Sequence, residues 1–282
     1  MSTIQLLSEH ACFGGVQRFY KHDSRETRGP MKFSVYLPPQ SRSGRVPVLY
    51  YLAGLTCTEE TFPIKAHAQQ TAAELGLMLL APDTSPREPR VPGDADSWDF
   101  GQGAGFYIDA TQAPWSTHYR MYSYVTRELP ELAAEHLPAL AEVQGIFGHS
   151  MGGHGALVCA LRNPSRYKSV SAFAPIVAPM QGPWGRKAFS NYLGADATTW
   201  REYDASELVA RNAFAAPILI DQGTADQFLT EQLLPEKFAA AAAKTGQRLT
   251  LRMQPGYDHG YYFIQTFMAD HLRHHASQLK KP

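Results

Sequence analysis

Two periodicities take turns along the chain. Val16 to Tyr20 and Lys32 to Leu37 alternate apolar and polar residues with a period of two, which predicts strands with one solvated face and hence an antiparallel edge. Pro38, Pro39, Ser41, Ser43 and Gly44 mark a turn, and Val46 to Leu52 is then nearly continuously apolar, as a strand covered on both faces requires. Beyond it, short apolar runs alternate with longer amphipathic ones. The pattern predicts helices at Ala66 to Leu75, Tyr122 to Glu135, Met151 to Arg162, Leu233 to Lys244 and Tyr261 to Leu279. Strands are expected at Leu77 to Ala81, Gln144 to Phe147, Ser169 to Phe173, Pro217 to Ile220 and Leu249 to Met253. Such alternation implies an α/β fold: a mostly parallel central sheet with antiparallel N-terminal strands, right-handed crossovers and helices on both faces.

Residues 82–120 and 174–215 break the rhythm, each far longer than the usual connection of ~2 to 6 residues. All four tryptophans, Trp98, Trp115, Trp184 and Trp200, lie in them, and these stretches are expected to roof a site. With no repeat, linker or low-complexity segment, the 282 residues read as one domain, 1–282. Lys plus Arg and Asp plus Glu number 26 each, so the composition gives no basic field to hold a phosphate backbone and nucleic acid is not expected as a partner. The longest apolar run, around Leu75 to Pro82, falls far short of the ~20 residues that cross a bilayer. Met1 to Gln17 has no charged n-region followed by an apolar h-region, so no signal peptide is expected. Three cysteines, Cys12, Cys57 and Cys159, fit free thiols in a reducing compartment, and the expected location is cytoplasmic.

The sharpest local signal is Gly148-His149-Ser150-Met151-Gly152, a G-x-S-x-G match between a predicted strand and a predicted helix. Glycines are needed there because a Cβ two residues either side of the serine would strike neighbouring backbone as the hydroxyl is pushed outward. A serine nucleophile needs a base, and the base needs a carboxylate that fixes its tautomer. In the α/β-hydrolase order of Ser, acid, His, the loop after the Pro217 strand supplies Asp226. Asp221 competes, but at the strand's end its side chain points into the sheet's flank, so Asp226 is favoured. Of the histidines beyond Asp226, His271, His274 and His275 fall on the last helix, whereas His259 sits in the turn Pro255 to Gly260 and is the expected base. His149 is read as a buried, hydrogen-bonded neighbour of the nucleophile. The oxyanion donors would be the N–H groups of Met151, next to the nucleophile, and Leu55, in the loop Ala53 to Cys57 that follows a strand.

Other features carry less. Gly101 to Phe106 imitates a dinucleotide fingerprint, but Phe106 takes the last small-residue position and no strand leads in. His271, His274 and His275 share a helix face, best read as solvated rather than metal-binding. No metal motif and no cofactor motif is found. Cys57 reads as a small buried hydrophobe whose place beside the oxyanion loop would let alkylation inhibit.

Together these segments resemble the esterase D family, whose members are S-formylglutathione hydrolases. The likeness runs through Leu52 to Thr58, Asp83 to Arg87, Asp96 to Gly101, Gly103 to Tyr107, Tyr119 to Val125, Gly148 to Ala156 and Pro183 to Gly185. Ala53 stands where many relatives carry serine, Gly182 where many carry cysteine, and Glu88 to Asp94 is divergent. The resemblance implies an α/β-hydrolase fold, a Ser150, Asp226 and His259 triad, Leu55 and Met151 as oxyanion donors, no cofactor, and a cytosolic homodimer in a formaldehyde-detoxifying cell. It also implies the reaction: hydrolysis of the thioester S-formylglutathione to glutathione and formate, with side activity on short esters. A formyl group is tiny, so Trp184 and Phe106 are expected to narrow the acyl pocket. Rival expectations are a carboxylesterase or acyltransferase on the same fold, or a non-catalytic binding protein.

Overall fold

The computed structural model describes residues 3–279; residues 1–2 and 280–282, at the ends of the expected 1–282 domain, lie outside the described residues. Nine strands form one sheet: β1 (Gln5–Cys12), β2 (Gly15–Ser24), β3 (Gly29–Leu37), β4 (Val46–Leu52), β5 (Met78–Pro82), β6 (Ala139–His149), β7 (Tyr167–Phe173), β8 (Ile218–Gly223) and β9 (Leu249–Gln254). Their spatial order is β1-β2-β3-β5-β4-β6-β7-β8-β9. The first three strands and β5 pair antiparallel, and every pairing from β5 across to β9 is parallel. This is the mostly parallel sheet with an antiparallel N-terminal edge that the periodicities predict. The edge strand β1 is an addition: its residues are largely exposed, with Leu6 and Leu7 open to solvent, so no buried face imposes a period on its sequence.

The helices are α1 (Thr61–Lys65), α2 (Gln69–Leu75), α3 (Met121–Ser123), α4 (Leu129–His136), α5 (Met151–Arg162), α6 (Pro183–Tyr192), α7 (Ala197–Trp200), α8 (Ala205–Val209), α9 (Pro235–Thr245) and α10 (Tyr261–Leu279). A π-turn over Tyr124–Glu128 joins α3 to α4, so the single helix expected there is one helical path with a widened middle. Strand β7 shows how both faces are covered. Its odd positions meet α10, with Phe173 stacked on His271 at 3.7 Å, while Ala172 on the other face lies under Gly153 of α5.

That same face overturns the solvated reading of the C-terminal histidines. His271 and His275 are fully buried, and only His274 is part-exposed. His271 Nε2 donates to Asp221 at 3.0 Å, its Nδ1 meets Ser171 Oγ at 2.8 Å, Ser171 Oγ meets His275 Nε2 at 2.9 Å, and His275 Nδ1 meets Ser169 Oγ at 2.6 Å. Because the carboxylate can only accept, each later proton is assigned in turn, and both neutral imidazoles carry their hydrogen on Nε2. Burial lowers the pKa of both histidines, keeping them neutral.

The two long excursions are knitted to each other. Residues 174–215 are not irregular but carry α6, α7 and α8, while 82–120 stays mostly without regular structure. Tyr192 of α6 ties them: its hydroxyl donates to the Ala104 carbonyl and accepts from Gly101 N–H, both at 3.0 Å, and its ring stacks on Phe100 and Tyr119. No helix among the described residues is long and apolar enough to cross a membrane.

Candidate active site

Strand β6 delivers Ser150 to the start of α5 in a conformation few side chains adopt, φ 57° and ψ −119°. The turn is pinned from three directions: Ser150 N–H donates to the Phe173 carbonyl at 3.0 Å, and its own carbonyl accepts from His154 and Ile176 N–H at 3.0 and 3.2 Å. Gly152 is what lets α5 start so close to β4. A Cβ there would lie 1.9 Å from the Leu52 carbonyl oxygen, an impossible contact.

Asp226 and His259 come from two loops laced together at the end of β8 and β9. Ala225 N–H donates to the Tyr257 carbonyl at 2.9 Å and Gly256 N–H to Thr224 Oγ1 at 3.0 Å. The Asp226 carboxylate is buried and accepts three bonds: His259 Nδ1 at 2.6 Å and Gln222 Nε2 at 3.1 Å on Oδ2, and Phe228 N–H at 2.8 Å on Oδ1. With Nδ1 committed to the carboxylate, the Nε2 of a neutral His259 is the acceptor. The imidazole lies between rings, 4.5 Å from His149 and 5.0 Å from Phe228. Its contact with His149, the residue before the nucleophile, sets it beside the elbow. Ser150 Oγ and His259 share no hydrogen bond among the described residues; catalytic hydrogen bonds are often long or poorly aligned before substrate binds. Asp221, by contrast, is consumed elsewhere, held by Arg252, His271 and Gln254. Burial alone would raise its pKa, but the bonds from His271 and Arg252 win and bring it down to about 2.

The loop Ala53 to Cys57 closes the site from the β4 side. A Cβ on Gly54 would sit 3.2 Å from both Ser150 Cβ and His149 Nδ1, so the loop lies directly on Ser150. Several of its other carbonyls and amides are taken: Tyr107 Oη donates to Ala53 O at 2.9 Å, Thr56 N–H to Gly103 O at 2.9 Å, and Cys57 O accepts from Thr84 Oγ1 at 2.6 Å and Arg87 Nη2 at 3.0 Å. Arg87 is itself clamped on the buried carboxylate of Asp83 at 2.7 Å. Among the described residues Leu55 N–H has no acceptor, and Met151, first residue of α5, has no intrahelical one. Two free donors therefore flank the elbow, the requirement of an oxyanion hole. The glycines of 101–105 serve this brace rather than a nucleotide, since a Cβ on Gly103 would press at 3.0 Å on Thr56.

Residues 24–274 match the family model described as "Putative esterase". The chain is 54% identical over 280 residues to the S-formylglutathione hydrolase of Bos taurus, covering 98% of this chain and 99% of that one. It is 54% identical over 275 residues to the S-formylglutathione hydrolase of Paracoccus denitrificans (strain Pd 1222), covering 98% of each. The solved S-formylglutathione hydrolase from Agrobacterium tumefaciens superposes with a TM-score of 0.95 at 51% identity, covering 97% of this chain and 99% of that one. The chain belongs to the S-formylglutathione hydrolase family. The α/β-hydrolase architecture follows with it.

Within that family frame, the remaining expected residues separate. Trp184, at the start of α6, leans on Phe228 at 4.7 Å, and Phe228 meets His259, so an aromatic wall runs outward from the imidazole to the exposed Trp98. Phe106 is elsewhere: with no exposed surface, it packs in the core against His154 and Phe189. Its positive φ of 48° turns the ring inward, and its carbonyl accepts from His154 Nε2 at 3.0 Å, so it lines no pocket open to solvent. Burial raises the Cys57 thiol's pKa, against weaker opposing bonds to Thr61 and Tyr261, which keeps it a protonated, unactivated thiol. His149 is buried as expected but makes no full hydrogen bond among the described residues, and burial together with the neighbouring His259 keeps it neutral. Gln222, Phe228, Thr84 and Arg87 escaped the sequence reading. Asp83 to Arg87 was noticed only as part of a resemblance, and no spacing rule ties a Thr and an Arg to a loop 27 to 30 residues earlier. No group of three potential metal ligands occurs among the described residues.

Proposed function

We propose that this chain hydrolyses S-formylglutathione to glutathione and formate through a formyl-serine intermediate, with side activity on short carboxyl esters. His259 Nε2 takes the Ser150 proton as Oγ attacks the formyl carbon. The carbonyl oxygen gathers negative charge between the N–H groups of Leu55 and Met151. Asp226 holds the imidazole in its working tautomer and faces the imidazolium that forms. Collapse of the intermediate breaks the C–S bond, and the thiolate leaves with the proton from His259. A thiol of pKa ~8.5 needs less proton assistance than an alcohol, so an imidazolium suffices. Water, deprotonated by the same His259, then attacks the formyl ester and releases formate and the serine hydroxyl.

The observation that carries this reading is the Asp226–His259 hydrogen bond set against the strained Ser150 elbow, in a chain more than half identical to S-formylglutathione hydrolases along nearly its full length. The reading extends to a cytoplasmic homodimer that completes the disposal of formaldehyde, hydrolysing the thioester left once the formaldehyde–glutathione adduct has been oxidised by another enzyme; the free thiols of Cys12, Cys57 and Cys159 favour such a compartment, and sedimentation would test the dimer. The deciding experiment measures thioester cleavage on S-formylglutathione against a panel of esters, for the wild type and Ser150→Ala. Loss of about 10⁴-fold or more in turnover, with S-formylglutathione the preferred substrate, is the expected result. Equal preference for long-chain esters, or transfer to alcohol in place of water, would favour a carboxylesterase or acyltransferase instead.

A further inference from the structure

A hollow of about 580 Å³ opens where α1 meets the start of α10, lined by Ile64, Lys65 and His67 on one side and Asp258, Gly260 and Tyr262 on the other. Its volume lies in the range of small-molecule sites, ~300 to 1,000 Å³. Asp258 and Gly260 are the two chain neighbours of His259, so the hollow begins about one residue spacing, ~3.8 Å, from the imidazole's own backbone. It is also continuous in sequence with the oxyanion loop, because α1 begins four residues after Cys57.

The reaction dictates what belongs there. His259 protonates the leaving sulfur, so the thiol half of the substrate must lie against the His259 turn while the formyl half lies over the oxyanion donors. That thiol half is a tripeptide with two carboxylates and one ammonium, net charge −1. The hollow offers a cation without a partner: the Lys65 ammonium makes no salt bridge among the described residues and sits 5.9 Å above the Tyr261 ring. Asp258, the carboxylate at the hollow, accepts from Gly260 N–H at 2.8 Å and forms no salt bridge with Lys65 among the described residues. Ile64 and Tyr262 are 65% and 80% exposed, apolar surface available to cover a peptide stem. On the α6 side, Lys187 is already paired, donating to Ser97 and Asp99 at 2.8 and 2.5 Å, while Arg186 gives its Nε to the Met180 carbonyl at 2.9 Å.

We propose that the hollow between α1 and α10 holds the peptide half of the thioester, with the Lys65 ammonium taking one of its carboxylates. This rests on the thioesterase reading and assigns the part of the site that selects an anionic peptide thiol over a plain alcohol.

The test is Lys65→Gln and Lys65→Arg, assayed on S-formylglutathione and on 4-nitrophenyl acetate, with glutathione itself as a competitive inhibitor of the ester reaction. Lys65→Gln is expected to raise KM for the thioester five- to tenfold and to weaken glutathione inhibition by about the same factor, lowering thioester-over-ester selectivity accordingly. Lys65→Arg is expected to recover most of it. Raising salt from 0.05 to 0.5 M should raise the wild-type thioester KM and leave that of Lys65→Gln nearly flat. A second variant, Tyr262→Glu, places a carboxylate at the rim and should weaken glutathione inhibition without touching Lys65. Unchanged glutathione inhibition in Lys65→Gln, or a parallel fall on both substrates, overturns the proposal. Absence of thioester cleavage by the wild type would instead overturn the thioesterase reading.

Discussion

Asp226→Asn is the substitution whose outcome the hydrogen-bond map specifies most closely. The carboxylate's two oxygens face donors only: His259 Nδ1 and Gln222 Nε2 on one, Phe228 N–H on the other. An asparagine keeps the volume but must put its NH₂ on one side. Directed at His259, it donates to Nδ1, drives the proton to Nε2 and leaves no lone pair to receive the Ser150 proton. Directed at Phe228, it sets two donors against each other in a buried site, a cost of about 1 to 3 kcal/mol, and the imidazolium still lacks its counter-charge. Either way about 4 to 5.5 kcal/mol of transition-state stabilisation is lost, which is three to four powers of ten in kcat/KM. Pre-steady-state and steady-state turnover of an activated acetyl ester, on protein shown folded by near-UV circular dichroism, reads this directly. A fall of less than about 30-fold would refute the assignment of Asp226 as the group that orients the base.

Three further outcomes are expected. Arg87→Met should remove one donor from the Cys57 carbonyl, loosen the oxyanion loop and lower kcat roughly tenfold with KM nearly constant; a change confined to KM would show that the brace does not reach the Leu55 N–H. Acetyl esters should be cleaved faster than butyryl and far faster than octanoyl ones, and comparable octanoyl turnover would contradict a small acyl pocket. The fully buried His149, His154, His271 and His275 all have pKa values lowered by burial, His154 to about 4. Their stability contribution is thus complete above the unfolded pKa of ~6.5 and is lost as pH falls below it, for His154 until about 4. Urea midpoints that stay constant from pH 7.5 to 5 would exclude this.

The parallel half of the sheet was readable because strands covered on both faces have no choice but to be apolar, as β4 shows from Val46 to Leu52. The elbow at Ser150 was readable for a different reason, since part of its steric demand is local: a Cβ on Gly148 would lie 2.3 Å from the Gly152 carbonyl oxygen. The helices of 174–215 were missed although their caps are written plainly. Asp196 accepts from Thr198 N–H, and Asp204 accepts from Ser206 and Glu207 N–H, a D-x-x-E start. The capped helices α7 and α8 have only four and five residues, so no period accumulates in them, whereas the ten residues of α6 open on Gly182 with no side-chain cap to mark the start. The C-terminal histidines failed for a tertiary reason: the alternate serines of β7, Ser169 and Ser171, together with Asp221 of β8, make burial of two imidazoles tolerable, and helix periodicity cannot see across to strands 50 to 100 residues earlier. Phe106 failed because one residue's positive φ reverses which way a ring points.

The chain of hydrogen bonds from Asp221 through His271, Ser171 and His275 to Ser169 has a mechanical meaning. Greasy contacts alone would let a helix slip or roll by a fraction of a turn at small cost. Here any such slip strands several polar atoms in a dry interface, so α10 is keyed to the sheet at one setting. His259 stands two residues ahead of that helix, and the keyed positions lie roughly 15 to 20 Å further along it. The aim of the imidazole is thereby dictated by bolts set at the far end of the shaft that carries it.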